Sequence, residues 1–159
     1  MPDDTRGRAM PTKCEICGHD VAQNKRRSVP QMRRYWAMIR AYWHHWPETA
    51  ERQFDSPEHM RKWLQMRAGH REVAVSMDLD GATKESALLI AEAAIRATGE
   101  YAVPVLHGDA LVIWRPKSIA FARLGHIEAC RLFDDVAAVA EQVTGLRAED
   151  VMREMEAAA

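Results

Sequence analysis

The segment from Arg26 to Trp46 constrains the fold more than any other, because its large apolar side chains recur at helical spacing. They return every three or four residues, which places them on one face of an α-helix. These side chains are Met32, Tyr35, Trp36, Ile39, Tyr42, Trp43 and Trp46. Ser28 and Gln31 form a capping-box pattern at the start, with Pro30 in the first turn. Pro47 predicts the end of this helix.

The other side of this predicted helix is basic. Arg33, Arg34 and Arg40 lie away from the apolar stripe, and His44 and His45 follow near its end. One interpretation is an amphipathic core helix whose charged face contacts only water. The other is a surface that binds a nucleic-acid backbone, since arginine supplies positive charge and an aromatic ring at the margin supplies a stacking plane.

The distribution of charge along the chain favours a polyanionic partner. The chain as a whole carries a net charge of −1. Residues 21–71, however, hold eleven Lys or Arg against four Asp or Glu, a balance of +7, and the rest of the chain carries −8. A basic patch of this kind is typical of nucleic-acid-binding proteins, although an acidic surface of the same protein or of a second subunit would complement it equally well.

Further cations extend this basic patch. Two precede the first helix, two lie on a second predicted helix, and two follow a predicted strand together with a hydroxyl group, an arrangement suited to phosphate contact. They are Arg26, Arg27, Arg61, Lys62, Arg115 and Lys117, and the hydroxyl is that of Ser118. With Arg33, Arg34 and Arg40 they form the predicted nucleic-acid-binding set.

A short cysteine motif lies near the N-terminus. Cys14 and Cys17 are separated by two residues, and Gly18 after them permits a tight turn. Two thiolates at this spacing form half of a tetrahedral zinc site, and His19 is the candidate third ligand. The fourth ligand would be one of the two histidines at the end of the first helix or a residue of a second copy. The alternative is a pair of inert thiols in an N-terminal arm.

Periodicity along the rest of the chain predicts helices mixed with short strands. Helices are expected over about 57–68, 84–98, 126–143 and 148–156, and strands over about 71–77, 101–106, 110–114 and 118–121. This pattern predicts an α+β fold in which a helical pair accompanies a small, mainly antiparallel sheet covered by helices. We expect a disordered arm over 1–12, a cysteine knuckle over 13–24 and a single domain over 25–159.

Several functional classes find no support in the sequence. No apolar run approaches the roughly 18 residues that a membrane span needs, and the N-terminus lacks the apolar region of a secretory signal. Three cysteines, an odd number, favour a reducing cytoplasm over a disulfide framework. There is no phosphate-binding loop, nucleophile elbow, zinc-protease helix or paired-carboxylate pattern, so we do not expect an enzyme.

One string in the first helix resembles a known pattern. Residues 27–37, RSVPQMRRYWA, are similar to an R-S-x-x-Q-x-R-x-x-W-A opening found in small bacteriophage and prophage proteins. These include the NinB (Orf) recombination family and an uncharacterised phage family with R-S-x-x-Q-x-R-R-[FY]-[FW]-A. The second family also resembles this chain in a W-x-x-K/R-AG-x-x-E-V passage, here Trp63 to Val73, and an R-P-x-S-I-x-F passage, here Arg115 to Phe121.

The resemblance, which covers roughly residues 26–150, implies a phage gene product. Through NinB it implies a dimeric protein that binds single-stranded DNA during recombination, and it implies no catalytic residues. We therefore expect a non-enzymatic homodimer in the cytoplasm of the bacterial host cell that binds single-stranded DNA in recombination or replication. The alternative is a phage protein that binds and inhibits a host protein through the Trp-, Tyr- and Arg-rich helix, since these residue types dominate interface hot spots.

Overall fold

The computed structural model describes residues 29–79, 83–120 and 124–158. Within these residues the chain forms five helices and one small sheet, so the predicted α+β fold is confirmed. The helices are α1 (Val29–His44), α2 (Pro57–Arg67), α3 (Lys84–Thr98), α4 (His126–Thr144) and α5 (Ala148–Ala157). The strands are β1 (Arg71–Asp78), β2 (Val103–His107) and β3 (Ala110–Pro116). The predicted disordered arm, the cysteine knuckle and the helix cap Ser28 lie outside the described residues.

α1 packs as its apolar spacing predicts. The side chains at its centre are fully buried, and the tryptophans are partly buried at the margin of the core. The Tyr35 ring stacks on Phe133 of α4 with the ring centroids 4.1 Å apart, and the Tyr42 hydroxyl donates to the carbonyl of Leu146 at 3.0 Å. α1 therefore forms the centre of a helical layer with α2, α4 and α5. No described helix has the length and apolar character that crossing a membrane requires.

α2 begins and ends at the residues that the sequence indicated. The Ser56 Oγ accepts the backbone N–H of His59 at 3.2 Å, and Pro57 is the first helical residue. Beyond the other end, Gly69 has φ of +84°, a left-handed conformation that glycine adopts at little cost. α2 contacts α1, α4 and β3, so its inner face lies between the helical layer and the sheet.

The three strands form one antiparallel sheet in the order β1-β3-β2. β2 and β3 form the hairpin that the sequence predicts, and α3 packs against both of them. β1 pairs with β3 from Arg71, opposite Pro116, to Asp78, opposite Ala110, with an irregularity between Val73 and Val75. β1 is therefore an edge strand, with no further strand beside it among the described residues.

One strand prediction is wrong for the part of it that the structure describes. Residues 118–120, expected to be an edge strand, form no regular element. The Ser118 Oγ accepts the N–H of Ala120 at 3.2 Å, which is a local turn contact. β3 ends at Pro116, which pairs with Arg71 at the start of β1, and the ladder has no further strand residue to pair with beyond it among the described residues.

Candidate nucleic-acid interface

Four of the nine predicted phosphate-contacting cations line one depression in the surface. Arg61 and Lys62 come from α2, and Arg115 and Lys117 come from the end of β3 and the segment after it. The depression has a volume of about 330 Å³ and contains one carboxylate, that of Glu100. This excess of positive charge attracts phosphate groups. We call the depression the basic groove; it is lined by Arg61, Lys62, Glu100, Tyr101 and residues 115–120.

The backbone of Lys117 is held by hydrogen bonds on both sides of the residue. Its N–H donates to the carbonyl of His70 at 3.0 Å. Its carbonyl accepts from Nε2 of Gln65 at 2.6 Å, and Gln65 is fully buried on α2. These bonds fix the point at which the Lys117 side chain leaves the chain, so the groove presents this cation from a rigid support.

Arg61 differs from the other cations of the groove because it is buried, with only 5% of its surface exposed. Its Nε and Nη2 donate to the Glu58 carboxylate at 3.0 and 2.7 Å, and its Nη1 donates to Oε1 of Gln65 at 2.7 Å. The guanidinium also lies 5.5 Å from the ring centroid of Trp36. Arg61 thus connects the Glu58 carboxylate and the Trp36 ring of α1 to the Gln65 amide that holds Lys117, and most of its hydrogen-bonding capacity is used within the protein.

The electrostatics of this buried network favour its ionised form. Burial raises the pKa of Glu58, but the hydrogen bonds and positive charge of Arg61 outweigh this effect, so the pKa lies below its ordinary value. Burial raises the pKa of the adjacent Tyr35 to about 12. Glu58 and Arg61 are therefore both charged, and Tyr35 neutral, around neutral pH.

Lys62 and Arg115 make only exposed or partly exposed ion pairs. The Nε of Arg115 lies 2.8 Å from a carboxylate oxygen of Glu72, and both side chains are about half exposed. The Nζ of Lys62 lies 3.6 Å from a carboxylate oxygen of Glu58. Surface ion pairs stabilise a protein by at most about 1 kcal/mol, so a phosphate can replace these carboxylates at low cost. Lys62, Arg115 and Lys117 are thus the accessible cations of the groove.

An aromatic side chain that the sequence did not single out completes the basic groove. Tyr101, just before β2, packs edge-on against His59 of α2 with the ring centroids 5.2 Å apart. It also lines an adjoining depression of about 510 Å³ between the start of α2 and the end of α3. A half-buried ring held in this way offers a stacking plane for an unpaired base.

The basic groove continues on its other side into a third depression. Lys117 and Ser118 line both, and the third depression has a volume of about 420 Å³. His70 and Arg131 also line it, and the Nε2 of His70 lies 2.7 Å from a carboxylate oxygen of Asp135. The basic groove therefore shares lining residues with each of the two adjoining depressions, both of which also contain carboxylates.

Three of the five remaining predicted cations, Arg33, Arg34 and Arg40, do not line any of these three depressions. Arg33 and Arg40 are exposed on α1, and Arg26 and Arg27 lie outside the described residues. Arg34 lines a separate depression between α1, α4 and α5 that shares no residue with the basic groove. The carboxylates in that separate depression are Asp134, Glu141 and Glu149.

The predicted zinc ligands Cys14, Cys17 and His19 also lie outside the described residues. Of the two candidate fourth ligands, His45 has both ring nitrogens within 2.9 Å of an oxygen, one on Ala41 and one on Glu154. His44 is exposed, which favours it over His45 as a metal ligand. Within the part of the chain that the structure describes, no three His, Cys, Asp or Glu side chains are grouped to hold a metal.

Comparison of the chain with models of known protein families, with functionally characterised proteins and with solved structures finds no match.

Proposed function

We propose that this protein binds single-stranded nucleic acid, in particular single-stranded DNA, in the basic groove. The proposal is supported by the convergence on one depression of Lys62 with Arg115 and Lys117, which lie more than fifty residues further along the chain. The protein acts without catalysis, and the resemblance of residues 27–37 to phage recombination proteins suggests recombination or replication of a bacteriophage as its setting.

The groove combines the two interactions that binding to a single strand needs. Lys62, Arg115 and Lys117 neutralise successive phosphates, and the Ser118 hydroxyl can donate a hydrogen bond to one of them. Tyr101 stacks on an unpaired base. Because every base has a flat face, this mode gives little sequence preference, and a duplex, whose bases are already stacked, cannot use Tyr101.

Binding to a labelled oligonucleotide of about 20 nucleotides, followed by fluorescence anisotropy over a range of salt concentrations, tests this function. Three phosphate contacts predict that the logarithm of the association constant falls with the logarithm of salt concentration with a slope of about −2. A duplex of the same length should bind more weakly. If the protein has no affinity for the single strand at about 50 mM salt, the proposal fails.

Replacing Tyr101 with leucine should weaken single-strand binding while leaving its salt slope unchanged. Loss of one stacked base costs about 1–3 kcal/mol, and no phosphate contact is removed. Affinity for the duplex serves as the internal control and should not change. A slope that falls with the affinity would mean that the Tyr101 substitution disturbs the cations instead, and a melting curve would show whether the fold is affected.

The cysteine knuckle is expected to bind one zinc ion per chain. Cys14 and Cys17 supply two thiolates, and His19 with a more distant residue completes four ligands. Elemental analysis should find zinc in the wild type and none after Cys14→Ser with Cys17→Ser. Cys130, which is buried on α4 with its sulfur beside Gln31 of α1, provides the matched control, since Cys130→Ala should keep the metal. Metal-free protein with both knuckle thiols freely titratable would contradict this expectation.

A second function, binding to a host protein, is favoured by a different observation. Apolar side chains that are more than a third exposed lie on both outer strands of the sheet. They are Val73, Val75, Met77, Val103 and Val105. Exposed apolar surface of this kind marks protein interfaces. Salt separates the two functions, because phosphate binding weakens steeply as salt rises and an apolar interface does not.

A further inference from the structure

The two edges of the sheet are protected to different degrees. β2 is five residues long, contains Pro104 and packs against α3. Short length, proline and a covering helix all prevent an edge strand from pairing with another chain. β1 is eight residues long, contains neither proline nor lysine, and has no strand beside its outer edge among the described residues. β1 is therefore the edge that can accept a further strand.

Three apolar side chains of β1 are close to half exposed. Val73 is 47% exposed, Val75 43% and Met77 48%. Covering them removes apolar surface from water, which favours a partner that lies along the whole strand.

The register with β3 shows which β1 side chains share a face. Arg71, Val73, Ser76 and Asp78 lie opposite Pro116, Trp114, Val112 and Ala110, which alternate along β3 and so occupy one face. Glu72, Val75 and Met77 lie opposite Arg115, Ile113 and Leu111, which occupy the other face. The irregularity between Val73 and Val75 is the reason that odd-numbered residues change face halfway along β1.

This change of face makes β1 complementary to itself in one antiparallel register. When two copies are related by a two-fold axis at the centre of β1, Arg71 lies opposite Asp78 of the second copy. Val73 then lies opposite Ser76, and Glu72 opposite Met77, each pair on the same face of the sheet. A shift by one residue would place side chains from opposite faces against each other.

Charge also supports this register. Arg71 and Asp78 stand at the two ends of β1, and neither makes an ion pair with another described residue. The Arg71 guanidinium instead lies 4.7 Å from the ring centroid of Trp114, on the face that it shares with Asp78. The two-fold arrangement forms two Arg71–Asp78 pairs per dimer, whereas a register shifted by one residue would form neither pair.

We propose that β1 pairs with β1 of a second copy of this chain, so that two three-stranded sheets become one six-stranded antiparallel sheet. Backbone hydrogen bonds along eight residues hold the two copies together, and the two Arg71–Asp78 pairs fix the register. This interface does not include the basic groove. The experiments on the dimer and on nucleic-acid binding therefore test the two proposals independently.

Sedimentation equilibrium of the full chain and two charge-reversal variants tests this dimer. The wild type should be a dimer at micromolar concentrations. Arg71→Asp places two aspartates opposite each other at each end, and Asp78→Arg places two arginines there. Each variant alone should dissociate about tenfold more readily than the wild type, given the small energies of exposed charge pairs.

Mixing the two variants provides the decisive control, because a heterodimer of Arg71→Asp with Asp78→Arg restores opposite charges at both ends. The mixture should dimerise about as tightly as the wild type, a result that misfolded variants could not give. Hydrogen exchange should also show protection of β1, and not of β2, as concentration rises. A monomeric wild type would overturn the proposal, as would β1 covered by residues 1–28 or by another protein. A dimer that neither reversal weakens would overturn the register and the interface.

Discussion

Replacing Lys62 and Lys117 together with alanine is expected to lower the affinity for single-stranded DNA by roughly 60-fold at about 50 mM salt. Each lost phosphate contact lowers the salt slope by about 0.7, so two contacts lower it by about 1.4. The same slope predicts a smaller loss, about tenfold, at 200 mM salt. Anisotropy titrations at both salt concentrations measure the affinity and the slope in one experiment.

A double variant with the same change of charge provides the control. Arg34 and Arg147 line the separate depression between α1, α4 and α5. Arg147 lies 3.2 Å from a carboxylate oxygen of Asp150, with its side chain 69% exposed. Arg34→Ala with Arg147→Ala should change affinity by less than about threefold at the same salt, because those cations lie among carboxylates. Equal losses in the two double variants would show that overall charge, and not the basic groove, determines binding.

Sequence patterns were sufficient for elements whose signals are local. The apolar spacing of α1 identified Tyr35, Ile39 and Tyr42, all of which are fully buried. Lys84 and Thr98 bound α3 as predicted, because a run rich in alanine and leucine ends at Gly99, which has φ of +68°. In each case the spacing or the terminating residue lies within the element itself, so tertiary contacts are not needed to recognise it.

The same patterns could not separate Arg61 from Lys62. Both are cations on α2, but adjacent residues on a helix point about 100° apart. Both line the groove, but Arg61 is turned towards Glu58, Gln65 and Trp36 and is buried, whereas the Lys62 side chain is partly exposed. Counting charges along the sequence gives both residues equal weight, and only the packing of α2 against the rest of the fold distinguishes them.

The basic groove itself could be predicted only in part. Its cations were named, but nothing in the sequence shows that residues 115–118 return to the side of α2. That contact depends on the Gln65 amide, which binds the carbonyls of both Lys117 and His70. The sequence predicted only that Tyr101 begins a strand. Its place in the groove depends on its contact with His59, which lies far away in the sequence and so leaves no local pattern.

Arg61→Ala is expected to lower the free energy of unfolding by about 2–4 kcal/mol. The fully buried Oε1 of Gln65 would lose a hydrogen-bond donor, at about 1–3 kcal/mol, and the contact with Trp36 would be lost as well. Urea denaturation of the wild type and the variant measures the difference. An unchanged midpoint and slope would mean that Arg61 contributes no stability, which would restore the view of it as a surface cation that serves only to contact phosphate.

Arg67→Ala is the matched control for this substitution. Arg67 also lies on α2 and has its guanidinium over a tryptophan, 5.1 Å from the Trp63 ring centroid, but it is exposed. Its removal should cost less than about 1 kcal/mol, since an exposed cation–π contact is weak and no buried acceptor loses its donor. The difference between the two variants therefore isolates the contribution of the buried hydrogen bonds of Arg61.

The decrease in the free energy of unfolding caused by Arg61→Ala should also depend on pH. The pKa of Glu58 is lowered in the folded protein, so its ion pair with Arg61 stabilises the fold at pH values above the ordinary pKa of a carboxyl group. This stabilisation is lost as the pH falls through the lowered pKa. The difference in free energy of unfolding between the wild type and Arg61→Ala should therefore be largest near neutral pH and become smaller below about pH 4. Arg67→Ala should show no such narrowing, because Arg67 makes no ion pair with Glu58. A cost of Arg61→Ala that stays constant down to low pH would show that packing and the Gln65 hydrogen bond, and not the Glu58 carboxylate, account for it.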